Sequence, residues 1–291
     1  MARDRKVEVA AVNVRIPEHM DRNYTALIES IFRTRKSVRV RGDTFLAIKS
    51  FDPEAGRGII AKFTEIEVDG DWFDLESFDT ATPDMVGEIA IPQNLRPNLS
   101  QFYFVVEPKE HVIVFEIYAD SKGLSARAFE KFLRSTATDR LLISRFGIVE
   151  VDVIKDYGEI ERILNLPHLK ELTVVIRPPN SDDIGEDLAK VIEERLREQN
   201  GGEYEERIKS LPKKDLEPNE RTRKLAMIGA ENGEVEAKAV QNRILTKIGT
   251  TETPLTEGSK FGADTSAQAV FYKLANRLMD RIRMKRREVR E

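Results

Sequence analysis

The residues best equipped for chemistry in this chain are clustered cations. Arg33, Arg35, Lys36, Arg39 and Arg41 place five positive charges within nine residues, with no acid among them and with Thr34 and Ser37 adding hydroxyls. Such a run can grip successive phosphates, because cationic side chains displace the counterions condensed on a polyanion. A second group, Arg281, Arg283, Lys285, Arg286 and Arg287, lies near the other end. From Arg277 to Glu291 seven Lys and Arg oppose three acids, a net +4 in a chain whose formal charge is −4. Positive charge therefore concentrates locally, and two converging groups would form one electropositive groove for nucleic acid. The plainer role of the second group is to favour a helix C-terminus and aid solubility.

Catalytic patterns are sparser. Glu236-Ala237-Lys238 sits in a run with strand period, which puts the acid and the lysine on one face. With an upstream acid such as Asp215, Glu217 or Glu231, that pair is the kind a metal-dependent nuclease uses to hold Mg²⁺ and polarise a phosphate. The same spacing recurs at Glu107 and Lys109 and at Asp120 and Lys122, so the plainer reading is a solvated strand face. His19, His111 and His168 stand alone, with no HExxH and no calcium loop, so no metal site is expected. No cofactor is expected either, save Mg²⁺ under the nuclease alternative. Gly258-Ser259-Lys260-Phe261-Gly262 has the composition of an anion-binding loop, or simply of a connection before the last helix. Asp69, Asp71, Asp74, Glu76 and Asp79 surround Trp72 and Phe73 and read as an acidic rim beside a buried tryptophan.

Periodicity shows what must position these groups. Val12, Val14 and Ile16 alternate with Asn13 and Arg15, the pattern of a strand with one buried face. Tyr24, Leu27, Ile28, Ile31 and Phe32 form a helical stripe, and residues 38–41, 44–51 and 58–68 read as strands separated by turn residues. Trp72, Phe73 and Leu75 are expected to cover an edge of that sheet, and residues 78–100, with three prolines, to be a long connection. Residues 102–107 and 112–119 flank Pro108-Lys109-Glu110-His111 as a hairpin.

From residue 112 the order becomes strand, helix, strand, strand, helix, strand. Its helices are marked by Ser125, Phe129, Phe132 and Leu133 and, after an opening at Asp182 and Asp183, by Ile184, Leu188, Val191, Ile192 and Leu196. This is the split βαβ, ferredoxin-like unit, in which helices cover one face of an antiparallel sheet. The first third opens in the same order, which allows two related half-folds. Beyond residue 211 a helix over 219–230, a strand at 235–239, a loop over 248–262 and a final basic helix are expected.

The expected class is thus α+β. Residues 1–100 form a sheet domain with one packing helix, 101–211 the ferredoxin-like domain, and 212–291 an extension ending in the basic amphipathic helix. A chain of 291 residues, 40% of them hydrophobic, supports such cores. The absence of cysteine excludes thiol nucleophiles, zinc ribbons, iron–sulfur clusters and disulfides, and fits a reducing compartment. No long apolar run or signal-like start is present, so a cytoplasmic protein away from membranes is expected.

Several segments carry a resemblance: Val40-Arg41-Gly42-Asp43, Asp71-Trp72-Phe73-Asp74-Leu75, Ile91-Pro92-Gln93-Asn94-Leu95-Arg96-Pro97-Asn98, residues 172–180, and Asn232-Gly233-Glu234-Val235-Glu236-Ala237-Lys238. Spread over residues 7–238, they resemble an uncharacterised prokaryotic family, the domain of unknown function numbered 4747. The resemblance implies a phage-defence or mobile-element setting but supplies no catalytic or binding residues. Tandem ferredoxin-like halves are similar in layout to CRISPR RNA-processing and RNA-binding proteins, an analogy at the level of fold. The expectation is non-catalytic nucleic-acid binding, RNA favoured over DNA, through the ten cationic residues named above. A nuclease using Glu236 and Lys238 is the enzyme alternative. A protein partner or self-association through residues 264–287 is the third.

Overall fold

The computed structural model describes residues 5–67, 70–87, 89, 91–179, 186–250, 253–262 and 264–290. The chain runs through β1 (Arg5–Arg15), α1 (Tyr24–Arg33), β2 (Val38–Arg41), β3 (Thr44–Asp52), β4 (Arg57–Thr64), β5 (Phe73–Asp74), β6 (Asp79–Thr80), α2 (Pro83–Gly87), β7 (Ser100–Glu107), β8 (Val112–Ala119) and β9 (Lys122–Gly123). It continues through α3 (Ala126–Ala137), α4 (Arg140–Phe146), β10 (Glu150–Val153), α5 (Tyr157–Leu164), β11 (Leu169–Ile176), α6 (Glu186–Glu198) and β12 (Tyr204–Lys209). Last come α7 (Glu220–Asn232), β13 (Gly233–Gln241), β14 (Ile244–Gly249), β15 (Thr256–Phe261) and α8 (Ala267–Arg290). The residues expected to open α6, Asp182, Asp183 and Ile184, lie outside the described residues, as does Asp69.

Among the described residues nine strands form one antiparallel sheet in the order β10-β1-β8-β7-β4-β3-β2, with β15 also on β1 and β9 on β8. A second sheet has the order β12-β11-β13-β14, and β5 and β6 make a separate hairpin. The protein is α+β with antiparallel sheets.

Strand β1 explains the arrangement. Its 11 residues are long enough to hold β8 along one edge and both β15 and β10, end to end, along the other. Val7, Val9 and Ala11 join a core with α7, α8 and the second sheet, while Ala10, Val12 and Val14 join another with α1, α3 and α4. Helices therefore cover both faces of the large sheet, where one covered face was expected. For the same reason Asn13 and Arg15, expected on a wet face, are buried. Asn13 Nδ2 donates to Asn232 Oδ1 at 3.1 Å, and Arg15, Arg134 and Arg177 converge on Asp152. Burial alone would raise the Asp152 carboxyl, but the three guanidiniums hold it below the usual range.

The large sheet curls, because α3 touches strands at both of its ends, β2 and β10. Lys131 Nζ donates to the Val40 carbonyl on β2 at 3.0 Å, and Arg134 Nε to the Val151 carbonyl on β10 at 2.6 Å. One helix thereby satisfies carbonyls on both edges of an incompletely closed barrel, a protection that open edges need. Helix α7 is buried on nearly every side from Leu225 to Asn232 because it lies between the two sheets. At its end Gly233 is required by contact: a Cβ there would stand 2.0 Å from the Val175 carbonyl oxygen.

Four expectations meet this topology. The strands of residues 112–211 do not share a sheet: β8 and β10 flank β1, whereas β11 and β12 belong to the second sheet. What forms is a split pair, β8-α3-β10, with β1 as its middle strand. The strands that frame α1, β1 and β2, are separated by β8, β7, β4 and β3, so the first third is no independent half-fold. Pairing crosses residues 100 and 211, since β1 bonds to both β8 and β15. Residues 248–262 are not one loop either. Gly258-Ser259-Lys260-Phe261 lie in β15 and pair with Arg5 to Glu8, so backbone N–H groups there serve a ladder that the second edge of β1 made available.

Candidate nucleic-acid interface

The two cationic groups do not converge. Helix α1 packs in the core on one face of the large sheet and α8 in the core on the other. The cations of α8 are fastened to the protein's own acceptors. Arg281 donates to the Thr256 carbonyl at 2.8 Å and pairs with Glu257 at 2.9 Å, and Arg283 pairs with Glu110 at 2.9 Å. Lys285 stands 3.1 Å from Glu288 and 3.6 Å from Glu161. Arg286 is buried, 2.7 Å from the buried Glu231, whose other oxygen receives the Tyr157 hydroxyl at 2.5 Å. Burial, followed by the neighbouring Glu231, drives the Tyr157 phenol well above its ordinary value, so it stays a donor. Arg287 alone of the five is exposed without an ion pair among the described residues. The apolar stripe expected to reach a partner through residues 264–287 is occupied: Phe271, Leu274, Leu278 and Ile282 are buried in the protein's own core.

The first group divides. Arg33 pairs with Glu29 at 2.5 Å and Lys36 with Asp139 at 2.6 Å, while Arg35 lies over the Phe32 ring at 4.2 Å. Arg39 and Arg41 belong to β2; Arg39 pairs with Phe45 and points away from the α1 and α3 core, while a bulge at Val40 and Arg41 sets Arg41 opposite Thr44 and turns it toward the start of α3. Arg39 opposes Phe45 across the ladder, with its guanidinium 5.8 Å from that ring. Phe45 in turn opposes Phe63 on β4; the two rings stack at 6.0 Å and 7°. Lys49 and Gln101 follow on the same face, joined at 2.5 Å.

These residues make an open sheet face on β2, β3 and β4. Leu46, Ile48 and Ile60 turn inward and are buried, whereas Phe45, Ile59 and Phe63 are half-buried and Arg39, Arg41 and Lys49 exposed. The face ends where α8 begins. Tyr103 on β7 is covered by Phe271 at 5.9 Å, and Arg57 packs on Tyr272 at 4.1 Å. Around the β2 edge, Arg41 also lines a groove of about 960 Å³ with Ser125, Arg127 and Lys131. The Arg39–Asp43 pair, at 2.9 Å, is solvent-exposed on both sides and is weak enough for a phosphate to displace.

Phe45, Phe63 and Lys49 were not among the residues singled out in the sequence, and the aromatic run Phe102-Tyr103-Phe104 offers no such face. Phe102 and Phe104 prove to be core, and Tyr103 lies beneath α8. The turn from Asp52 to Arg57 would by itself set Thr64 across from Phe45; a bulge between Ile48 and Ser50 shifts the register by one and brings Phe63 there instead.

Glu236 and Lys238 do lie on one face of β13, in the second sheet, and that face is an ion-pair lattice. Lys238 pairs with Glu171 at 3.0 Å and Glu236 with Lys247 at 2.8 Å, and Arg207 shares Glu171 at 2.5 Å. Of the candidate upstream acids, Asp215 is held by Lys170 and His168, and Glu231 by Arg286 and Tyr157. Among the described residues no three acidic or histidine side chains gather in a way that could hold a metal. No helix among them is long and apolar enough to cross a membrane.

Fold and site together define an α+β protein of two antiparallel sheets that leaves one cationic, aromatic sheet face uncovered. Residues 5–276 match the family described as a domain of unknown function, DUF4747, and the chain belongs to that family. No curated protein matches it.

Proposed function

We propose that this protein binds single-stranded nucleic acid, RNA foremost, without catalysis, on the open face of β2, β3 and β4. The stacked pair Phe45 and Phe63, flanked by Arg39 and Lys49, carries the reading. Unpaired bases stack on aromatic rings whatever their identity, and cations spaced along neighbouring strands meet the phosphates between them. A duplex hides its bases, so rings on a sheet face favour a single strand. Arg41 extends the face toward the groove at the start of α3, where Arg127 and Lys131 could meet a continuing backbone. Of the five cations Arg281, Arg283, Lys285, Arg286 and Arg287 only Arg287 is exposed without an ion pair among the described residues. The phage-defence or mobile-element setting, and the likeness in layout to CRISPR RNA-binding proteins, rest on the resemblance alone.

The test is binding of a fluorescent uridine oligomer and of duplex DNA at two salt concentrations. Single-strand binding should weaken as salt rises, with a log–log slope of about 0.7 for each phosphate neutralised. Phe45→Leu and Phe63→Leu keep the apolar contact and remove the ring, and each should cost roughly 1–3 kcal/mol of affinity. Salt-insensitive binding, or leucine variants that bind as tightly as the parent, would refute the assignment.

A further inference from the structure

The segment between β4 and β7, residues 65–99, holds nine acids and one base, a net −8. Since the whole chain is −4, its other 256 residues are net +4. This segment also displays apolar side chains that neither core accepts. Phe73 is 58% exposed, Leu75 78% and Phe78 77%, on the hairpin of β5 and β6, where the two phenyl rings meet edge to face at 5.3 Å. The sequence expectation put Trp72, Phe73 and Leu75 over a sheet edge; Phe73 and Leu75 are exposed instead, and Trp72 is half-buried. The root is fixed beside Phe63: Thr64 N donates to the Pro97 carbonyl at 3.1 Å, Asn98 Nδ2 to Thr64 Oγ1 at 2.8 Å, and Arg96 pairs with Glu65 at 2.9 Å.

From these features we infer that residues 65–99 are a docking arm that seats on the open face of β2, β3 and β4 in a second copy of the chain. The occupant follows from complementarity. The arm presents two phenyl rings and a leucine ringed by Asp71, Asp74, Glu76 and Asp79; the face presents two phenyl rings flanked by Arg39 and Lys49, with Arg41 at its β2 edge. Within one copy the arm leaves that face bare: Arg39 pairs with Asp43, Lys49 with Gln101, and Arg41 with no acid among the described residues. Two copies exchanging arms reciprocally form a closed twofold pair rather than a filament. Four phenyl rings and two leucines then leave water, on the order of the 1,000 Å² that a specific association needs. The inference shares its face with the proposed nucleic-acid site but does not depend on it, and it predicts that the two occupants compete.

Trp72 is the sole tryptophan, so its emission reports on the arm alone. Sedimentation velocity on the full chain should show mass doubling from low to high micromolar concentration, with Trp72 emission moving to the blue in step and both effects lost in high salt. Phe73→Ser with Phe78→Ser, distant from either core, should weaken the pair roughly tenfold or more. Asp71→Lys with Glu76→Lys on the arm, or Arg39→Glu with Lys49→Glu on the face, should each give monomers. Mixing those two variants should restore a pair. A monomer at every concentration overturns the inference, as does association indifferent to these substitutions. A salt-dependent Trp72 shift in a monomer also overturns it, by placing the arm on its own face. Failure of the uridine oligomer to bind leaves the docking arm standing, whereas oligomer binding by a strict monomer removes the arm alone.

Discussion

Helix α8 and strand β2 both carry closely spaced arginines, yet the fold treats them oppositely. In the group from Arg281 to Arg287 on α8 four of the five cations are matched to acceptors within the chain, and Arg286 is taken into the interior beside Glu231. On β2 Arg39 points outward beside the Phe45 ring, and a bulge turns Arg41 to the strand edge, exposed above the groove at the start of α3. Charge density along the sequence is the same kind of signal in both. What separates them is the covering layer: α8 lies over β1, β8, β7 and β15, whereas α1 and α3 cover β2 and β3 from the opposite side and leave the Phe45 face open. Exposed cations beside π faces, held at most by a solvent-exposed ion pair, can meet a ligand; cations holding a helix to its sheet cannot.

The strongest way to break this contrast is at Arg286. Arg286→Ala strands the buried Glu231 carboxylate, and unfolding by urea should reveal a loss of about 3–5 kcal/mol, while the folded fraction keeps its affinity for a single strand. A stable variant, or one with weakened binding, would mean that α8 is not purely structural. Next in size is Glu116 of β8, on the α8 side of the sheet, where Oε2 accepts from Tyr103 N at 2.7 Å. Burial pushes its carboxyl up to about 7 from an ordinary 4.5. The folded state therefore holds this proton more tightly than the unfolded chain. Its contribution to stability is complete below pH 4.5 and is lost as the pH rises through about 7. Glu116→Gln should accordingly stabilise the protein by about 3 kcal/mol above neutral pH and by almost nothing at acidic pH. Equal effects at both would show that the carboxyl does not titrate.

On the open face the effects move from stability to binding. Arg39→Ala should change stability by under about 0.5 kcal/mol, since it breaks only an exposed ion pair, while lowering the salt slope of single-strand binding by about 0.7. An unchanged slope would take Arg39 out of phosphate contact. The smallest effect belongs to the nuclease alternative. Glu236→Ala removes one exposed ion pair, and both stability and any binding should stay within about 0.5 kcal/mol of the parent. Magnesium-dependent cleavage that disappears in this variant would reverse that assignment.

Much of the secondary structure was legible from local chemistry. Ser125 caps α3 and Asn219 caps α7, each accepting from a backbone N–H three residues on, and the stripes of α1, α3 and α8 are buried at the positions their spacing marks. The strands at 38–41 and around Val235 to Ala239 also lie where alternation puts them. Pairing was less legible. Period two identifies one strand at a time and says nothing about its neighbours, so the strands of residues 112–211 read as one sheet although β1 had already taken β8 and β10.

The same limit governed the site. The sequence by itself determined which residues are cationic, which helices have an apolar stripe, that no thiol chemistry is available, and that residues 65–99 are strongly acidic. Only the tertiary structure decided which arginines remain free, that Phe45 stacks on Phe63, and that Arg15 and Asn13 are interior. Neutralisation and stacking are contacts between residues far apart along the chain. Arg283 meets an acid 173 positions away, a partnership set by how sheets and helices layer rather than by any pattern around Arg283 itself.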